Sequence, residues 1–221
     1  MNTVKDITAI KGILFDFDGT VGDTWDLIMC SMRYATRAVL GREIPDAQLS
    51  AGIGTPLDDQ MVVLAGGDVA LGKHMAAVYR EHNHAVHDAM IKPFPGVVGT
   101  LQQLQARGYA MGVVTSKLHQ LAWHGCEVVG AAPYFDLLIA PDDFPLHKPD
   151  PGPVLEGCRR LGLAPHECAY VGDSPYDMQA GRGAGCFTVA ATYGMFSRDK
   201  VLAEGPDTQV AEFSQLLELF Q

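Results

Sequence analysis

The chain has few basic residues for its size. Lysine and arginine together number 16, aspartate and glutamate number 26, and the formal net charge at pH 7 is -10. No basic stretch is present that would neutralise a run of phosphates, so we expect no nucleic-acid partner. A small anionic substrate is compatible with this charge, because it needs only a local positive pocket.

Cysteines are few, and long apolar runs are missing. The cysteines number 5, and they form no Cys-x-x-Cys pair. An odd count without such spacing indicates neither a disulfide framework nor a zinc site. The N-terminus lacks the hydrophobic region of a signal peptide, and no apolar run is long enough to span a membrane. We therefore expect a cytoplasmic protein with reduced thiols and no membrane partner.

The 221 residues are 48% hydrophobic and 19% charged, a balance typical of a folded globular protein. Short apolar runs that end at glycine or polar residues predict strands. Helical patterns lie between the later runs, at Gly99–Arg107 and Pro153–Leu161. Strands that alternate with helices predict an α/β fold with a parallel sheet covered on both faces. The predicted strands are Ile13–Phe17, Tyr109–Val114, Leu137–Ala140, Ala169–Val171 and Phe187–Ala191.

One segment breaks this alternation. Residues 23–90 have helical patterns throughout, with apolar stripes that run from Trp25 to Val39 and from Leu71 to His82. The segment Lys92–Gly96 then returns the chain to the α/β pattern. We therefore predict a helical domain at residues 21–92, inserted into a core domain made of residues 1–20 and 93–221. Gly41 and Asp68 are expected to end the first long helix and to cap the last one, respectively.

The first predicted strand ends in two carboxylates, Asp16 and Asp18, which are followed by Gly19-Thr20. A buried carboxylate is costly unless it is hydrogen-bonded, paired or bound to a metal. Residues i and i+2 of an extended strand point to the same side, so both carboxylates are expected to face one reacting group or cation. Asp16 is a candidate nucleophile, and Asp18 is a candidate proton donor and acceptor.

Three further polar clusters follow predicted strands. They are Thr115-Ser116-Lys117, His147–Pro151 with Lys148, and Asp173–Asp177. Ligands of open parallel sheets bind outside the carboxyl ends of the strands, so the four clusters are expected to converge there.

The combined residue types favour phosphoryl transfer. Asp16, Asp173 and Asp177 offer the hard oxygen ligands that suit Mg²⁺. A hydroxyl of Thr115 or Ser116 and the charge of Lys148 suit phosphate oxygens. Such groups stabilise the charge on a transferring phosphoryl group, so the expected partner is a small phosphorylated metabolite.

These clusters, in this order, resemble the motifs of the haloacid dehalogenase superfamily, and the chain is similar to its phosphoglycolate phosphatase-like branch. Phe94-Pro95-Gly96, Lys148–Pro151 and Ala180–Gly185 also fit that branch. The resemblance spans nearly the whole chain. It implies a Rossmann-like three-layer α/β/α core with residues 21–92 as an all-helical cap. It further implies Mg²⁺-dependent hydrolysis of a small phosphate monoester, with phosphoglycolate as the leading substrate.

The resemblance also assigns the catalytic roles. Asp16 would attack phosphorus and form an aspartyl-phosphate. Asp18 would protonate the leaving group and then activate water, and its backbone carbonyl would contact Mg²⁺. Lys148 would hold the nucleophile and the phosphate.

Phosphate and metal binding are assigned in the same way. Thr115 would bind the phosphoryl group, together with Ser116, which stands where many relatives have asparagine. Asp173 would bind Mg²⁺ directly, and Asp177 would bind it directly or through water.

Other functions use closely related sites. A β-phosphoglucomutase-like phosphomutase, a pyrophosphatase or a nucleotidase would share this catalytic core, and a non-catalytic binding protein could use the same fold. A dehalogenase would lack Asp18, because a leaving halide needs no proton. A phosphonatase would need a Schiff-base lysine from the helical domain, where Lys73 lies in the interior of the segment and Lys92 at its edge.

Overall fold

The computed structural model describes residues 6–221. Residues 1–5 of the predicted core segment 1–20 lie outside this range. The chain divides into two compact units, of which one joins the chain up to Asp23 with Lys92–Gln221 and the other is Thr24–Ile91.

The core unit is built on a six-stranded sheet with the order β5-β4-β1-β6-β7-β8. Every neighbouring pair in this sheet is parallel. A two-stranded antiparallel ribbon pairs β2 with β3. The parallel sheet and its helices confirm the predicted α/β fold. The strands are β1 (Gly12–Phe15), β2 (Gly22–Asp23), β3 (Lys92–Pro93), β4 (Ala110–Val114), β5 (Leu137–Ile139), β6 (Cys168–Gly172), β7 (Phe187–Ala191) and β8 (Thr208–Val210).

Strand β1 lies between β4 and β6, and its last residue, Phe15, is in register with Val113 and Val171. All four residues of β1 are buried. Parallel strands covered on both faces are apolar along their whole length, which explains the short hydrophobic run found in the sequence. Since β1 ends at Phe15, Asp16 is the first residue beyond the carboxyl end of a central strand.

The unit Thr24–Ile91 is helical. Gly41 has φ of +64° and closes the first helix through a bond from its N–H to Arg37 O. The Asp68 carboxylate accepts a hydrogen bond from Leu71 N at 3.0 Å and caps the last helix. Both predicted caps are therefore confirmed. The helices are α1 (Trp25–Leu40), α2 (Asp46–Leu49), α3 (Leu57–Leu64) and α4 (Val69–Met90).

Six helices accompany the sheet in the described part of the core unit. The two predicted helices correspond to α5 and α7, with ends that differ by one or two residues. Ser174 caps α8, and Pro175 occupies its first turn. The helices are α5 (Val97–Ala106), α6 (His119–Val128), α7 (Gly152–Arg160), α8 (Pro175–Ala184), α9 (Arg198–Leu202) and α10 (Leu216–Leu219).

The sequence pattern did not identify strand β8. Its three residues are Thr208, Gln209 and Val210, and only Val210 is buried. An edge strand so short, with an exposed glutamine at its centre, lacks the apolar run that marks the central strands. Over residues 6–221, none of the helices combines the length and the apolar character needed to cross a membrane.

Candidate active site

The ammonium group of Lys148 joins two carboxylates at the carboxyl edge of the sheet. Lys148 Nζ lies 2.9 Å from Asp16 Oδ1 and 2.6 Å from Asp177 Oδ1. A third contact, at 3.3 Å, reaches the carbonyl oxygen of Val114 at the end of β4. An ammonium has three hydrogens, so these three acceptors use its full donor capacity. Lys148 thereby ties together the ends of β1 and β4 and the start of α8.

Asp177 is completely buried, and both of its carboxylate oxygens accept hydrogen bonds from the protein. Its Oδ1 accepts from Lys148 and from the Tyr170 hydroxyl at 3.0 Å. Its Oδ2 accepts from Ser174 N at 3.0 Å and from Ser174 Oγ at 2.6 Å. Each oxygen therefore has two partners in the protein. This arrangement fixes the position of Lys148 and, through it, that of Asp16.

Asp173 is held in a narrow space between two loops. Its Oδ2 accepts from Met195 N at 2.6 Å, and Thr20 Oγ1 approaches Oδ1 at 3.4 Å. A Cβ atom on Gly194 would lie 2.3 Å from Asp173 Cβ, and one on Gly19 would lie 2.3 Å from Asp173 Oδ2. Both distances are far below van der Waals contact. Glycine is therefore required at both positions to let the backbone approach this carboxylate.

Asp18 faces a different lysine. Its Oδ1 accepts a hydrogen bond from Lys117 Nζ at 2.8 Å. The Lys117 side chain is only 8% exposed, and its ammonium lies 5.6 Å from the centre of the Phe17 ring. The spacing of Asp16 and Asp18 predicts that both lie on one side of an extended strand. The strand in fact ends at Phe15, and the two carboxylates pair with separate cations.

Thr115 and Ser116 follow the end of β4. Thr115 is buried, and its hydroxyl oxygen accepts from Lys117 N at 3.2 Å. Ser116 is half-buried. The residue at the N-cap of α6 is Leu118, so neither hydroxyl occupies that cap. Thr115 and Ser116 therefore do not serve as the N-cap of α6.

The site carries more negative charge than its lysines neutralise. Burial raises the pKa of Asp16 to about 7; Lys148 opposes this shift, and Asp177 adds to it. Burial also raises the pKa of Asp173 well above its ordinary value, and the charges of Asp177 and Asp16 add to the effect. Burial lowers the pKa of Lys148, but Asp16 and Asp177 outweigh it and leave that pKa above its ordinary value.

The donor set fits a hard divalent cation. One oxygen from each of Asp16, Asp173 and Asp177 lies within 4.8 Å of the others. Carboxylate oxygens are the ligands that Mg²⁺ prefers, and an added cation would favour the charged carboxylates, which burial and mutual repulsion disfavour.

The structure brings together Asp16, Lys148, Asp173 and Asp177 by direct contact or close approach, and it places Asp18, Thr115 and Ser116 on adjoining loops. Several residues that complete the site are not predicted by the sequence pattern. Lys117 directly follows Thr115 and Ser116 in one of the predicted polar clusters. This position is the sequence signal that could have identified it as a site residue. No sequence signal marks Tyr170 or Gly194, because their importance comes from the tertiary contacts described above.

Comparisons with known proteins agree with this geometry. The family model of haloacid dehalogenase-like hydrolases matches residues 13–191. A Clostridium perfringens protein provisionally named pyrophosphatase PpaX is 36% identical over 96% of this chain and 98% of its own. The pyrophosphatase PpaX of Bacillus velezensis is 33% identical over 98% of both chains. The crystal structure of a predicted phosphoglycolate phosphatase from Haemophilus somnus superposes with a TM-score of 0.89 at 25% identity, covering 98% of this chain and all of that one.

The chain therefore belongs to the haloacid dehalogenase-like hydrolases. The resemblance inferred from its motifs is confirmed, and the solved structure of similar fold covers both units of the chain.

The raised pKa of Asp16 yields a prediction about stability. A carboxyl group whose pKa rises from 3.8 to about 7 on folding favours the folded state most at low pH, and this contribution is lost as the pH rises through 7. In metal-free protein at pH 8, we expect Asp16→Asn to increase the free energy of unfolding by about 2 to 4 kcal/mol, and at pH 5 by only about 1 kcal/mol.

Urea denaturation in the presence of a chelator at both pH values measures this effect. The exposed Asp59 is a matched control, and Asp59→Asn is expected to change the stability by no more than about 0.5 kcal/mol. A variant Asp16→Asn that is less stable than wild type at pH 8 would contradict the proposed charge imbalance.

Proposed function

We propose that this protein is a Mg²⁺-dependent phosphatase that hydrolyses a small phosphate monoester or pyrophosphate through an aspartyl-phosphate on Asp16. The observation that carries the proposal is the contact of Lys148 Nζ with Asp16 Oδ1 beside the buried Asp173. A carboxylate fixed by a lysine is oriented for attack, and a second carboxylate nearby supplies a ligand for the cation.

In the first step, an oxygen of Asp16 attacks phosphorus, and the bond from phosphorus to the leaving oxygen breaks. Asp18 donates its proton to that oxygen, which is the role of a general acid. In the second step, Asp18 takes a proton from water, the water oxygen attacks phosphorus, and the bond to Asp16 breaks. Inorganic phosphate leaves, and Asp16 and Asp18 return to their starting states.

Phosphate binding is assigned to side chains at the ends of two strands. The Thr115 and Ser116 hydroxyls would donate to phosphoryl oxygens, and the Lys148 charge would stabilise the negative charge of the transferring group. The Lys148 ammonium is held by Asp16, Asp177 and the Val114 carbonyl before substrate arrives, so little reorganisation of this charge is needed during the reaction.

Asp16 and Asp173 would hold Mg²⁺ directly, together with the backbone carbonyl of Asp18. Asp177 would act through water, because each of its oxygens already accepts two hydrogen bonds. The cation would neutralise charge on the phosphoryl group and on the surrounding carboxylates.

Two kinds of substrate have separate support. The relatives named PpaX favour pyrophosphate, whereas the solved structure of similar fold carries the name of a phosphoglycolate phosphatase. Both are small phosphorylated molecules. We propose that the helical segment 21–92 acts as a cap domain and limits the size of the substrate.

The proposal predicts phosphate release. Pure protein with Mg²⁺ should release inorganic phosphate from p-nitrophenyl phosphate, and faster from pyrophosphate or 2-phosphoglycolate. Removal of the cation with a chelator should abolish the release. Asp16→Asn should lower kcat/KM at least about 1,000-fold, because the nucleophile is lost.

The control is Asp59→Asn, which should retain full activity. If wild-type protein releases no phosphate from a broad panel of monoesters and from pyrophosphate, the proposal fails. Isomerisation of a sugar phosphate that is faster than phosphate release would identify a phosphomutase instead.

The packing of Gly194 against Asp173 yields a second prediction. Gly194→Ala would push its Cβ into Asp173, because the two atoms would lie only 2.3 Å apart. We expect the Mg²⁺ concentration for half-maximal activity to rise about 10-fold, since a displaced supporting group weakens metal binding.

Gly99 provides the matched control. It lies exposed in α5, and no heavy atom lies within 4 Å of a Cβ placed there. Gly99→Ala should leave the Mg²⁺ requirement unchanged. An unchanged requirement in Gly194→Ala as well would show that Asp173 does not hold the cation.

A further inference from the structure

Lys117 is a partly buried residue with a largely buried side chain, and the proposed reaction leaves it without a role. Its side chain is 8% exposed, although lysine is almost never buried without a specific partner. Desolvation of an ammonium is costly, and the single ion pair with Asp18 compensates part of that cost. A second anion bound to the Lys117 ammonium would offset the rest of this desolvation cost.

Lys148 and Lys117 differ in the number of hydrogen-bond donors that remain available for a ligand. Lys148 Nζ contacts three acceptors, namely Asp16, Asp177 and the Val114 carbonyl. For Lys117 Nζ, the described residues supply one acceptor, Asp18 Oδ1 at 2.8 Å. Since an ammonium can donate three hydrogen bonds, Lys117 retains donors for a bound ligand.

The position of Lys117 specifies which part of a substrate it would meet. Under the proposed function, Asp18 must approach the oxygen of the leaving group to protonate it. Lys117 is bonded to the same carboxylate, whereas Lys148 contacts Asp16 and Asp177. Its ammonium would therefore lie near the leaving group and not only near the transferring phosphoryl group.

We propose that Lys117 is a specificity-determining residue that binds a negative charge on the leaving group, close to the scissile bond. This inference rests on the proposed function and adds to it. The recognised chemistry is an anion one or two bonds from the leaving oxygen. The second phosphate of pyrophosphate and the carboxylate of 2-phosphoglycolate both meet this description, whereas a neutral alcohol does not.

The test compares three phosphate compounds with Lys117→Met, which removes the charge but retains the length of the side chain. Pyrophosphate and 2-phosphoglycolate carry an anionic leaving group. The monophosphate of ethylene glycol is the neutral counterpart of 2-phosphoglycolate, and its alkoxide also needs protonation by Asp18. We expect kcat/KM for one or both anionic substrates to fall about 10- to 100-fold more than for the neutral ester.

The pattern of losses identifies the anion. A selective loss for pyrophosphate assigns the bound group as phosphate, and a selective loss for 2-phosphoglycolate assigns it as carboxylate. An equal loss for all three compounds would overturn the proposal, because it would mean that Lys117 acts only by holding Asp18. No loss for any of them would overturn it as well.

Two further variants keep the test decisive. Lys117→Arg retains the positive charge and should restore most of the preference for the anionic substrates, and Lys117→Gln replaces the methionine variant if that one does not fold. Lys11→Met is the matched control, since Lys11 pairs with Glu167 at 2.7 Å on the surface and is 65% exposed. Wild-type activity is measured first, so a protein without phosphatase activity would refute the proposed function, whereas an active protein with an unaltered preference would refute only the role of Lys117.

Discussion

The buried contact of Lys148 with Asp16 and Asp177 is the interaction on which the rest of the site depends. Without a cation, the carboxylates of Asp16, Asp173 and Asp177 would repel one another at this edge of the sheet. Lys148 offsets part of that repulsion, and its third hydrogen bond, to Val114 O, fixes the ammonium to the end of β4. Removing Lys148 would leave Asp16 and Asp177 as uncompensated buried charges. The same lysine thus orients the candidate nucleophile and makes its burial tolerable.

The parallel sheet explains how distant segments reach this point. Asp16 follows the central strand β1, Thr115 follows β4, and Asp173 follows β6, and these three strands are neighbours. Close backbone packing then completes the arrangement, since Gly194 beyond the end of β7 leaves only enough room for the Asp173 carboxylate. The parallel sheet therefore brings these side chains to one edge, and local packing orients their oxygen atoms.

Much of the core and the candidate residues could be predicted from the sequence, because buried parallel strands are short apolar runs and the polar clusters follow them directly. Strand β8 could not, since a half-exposed edge strand of three residues has no such run. The pairing of Lys117 with Asp18 also escaped prediction, because it joins residues 99 positions apart. The contact of Met195 N with Asp173 depends in the same way on tertiary packing, and no periodicity in the chain encodes it.

The central claim is that the carboxylate fixed by Lys148 becomes phosphorylated during turnover. Rapid acid quench of the reacting enzyme, followed by borohydride reduction and mass spectrometry of its peptides, tests this claim directly. Borohydride converts an aspartyl-phosphate into homoserine, so the account predicts homoserine at position 16 in protein that was mixed with substrate and Mg²⁺. Phosphate release accompanied by modification at another residue, or by an unmodified Asp16 under conditions in which the intermediate accumulates, would contradict it.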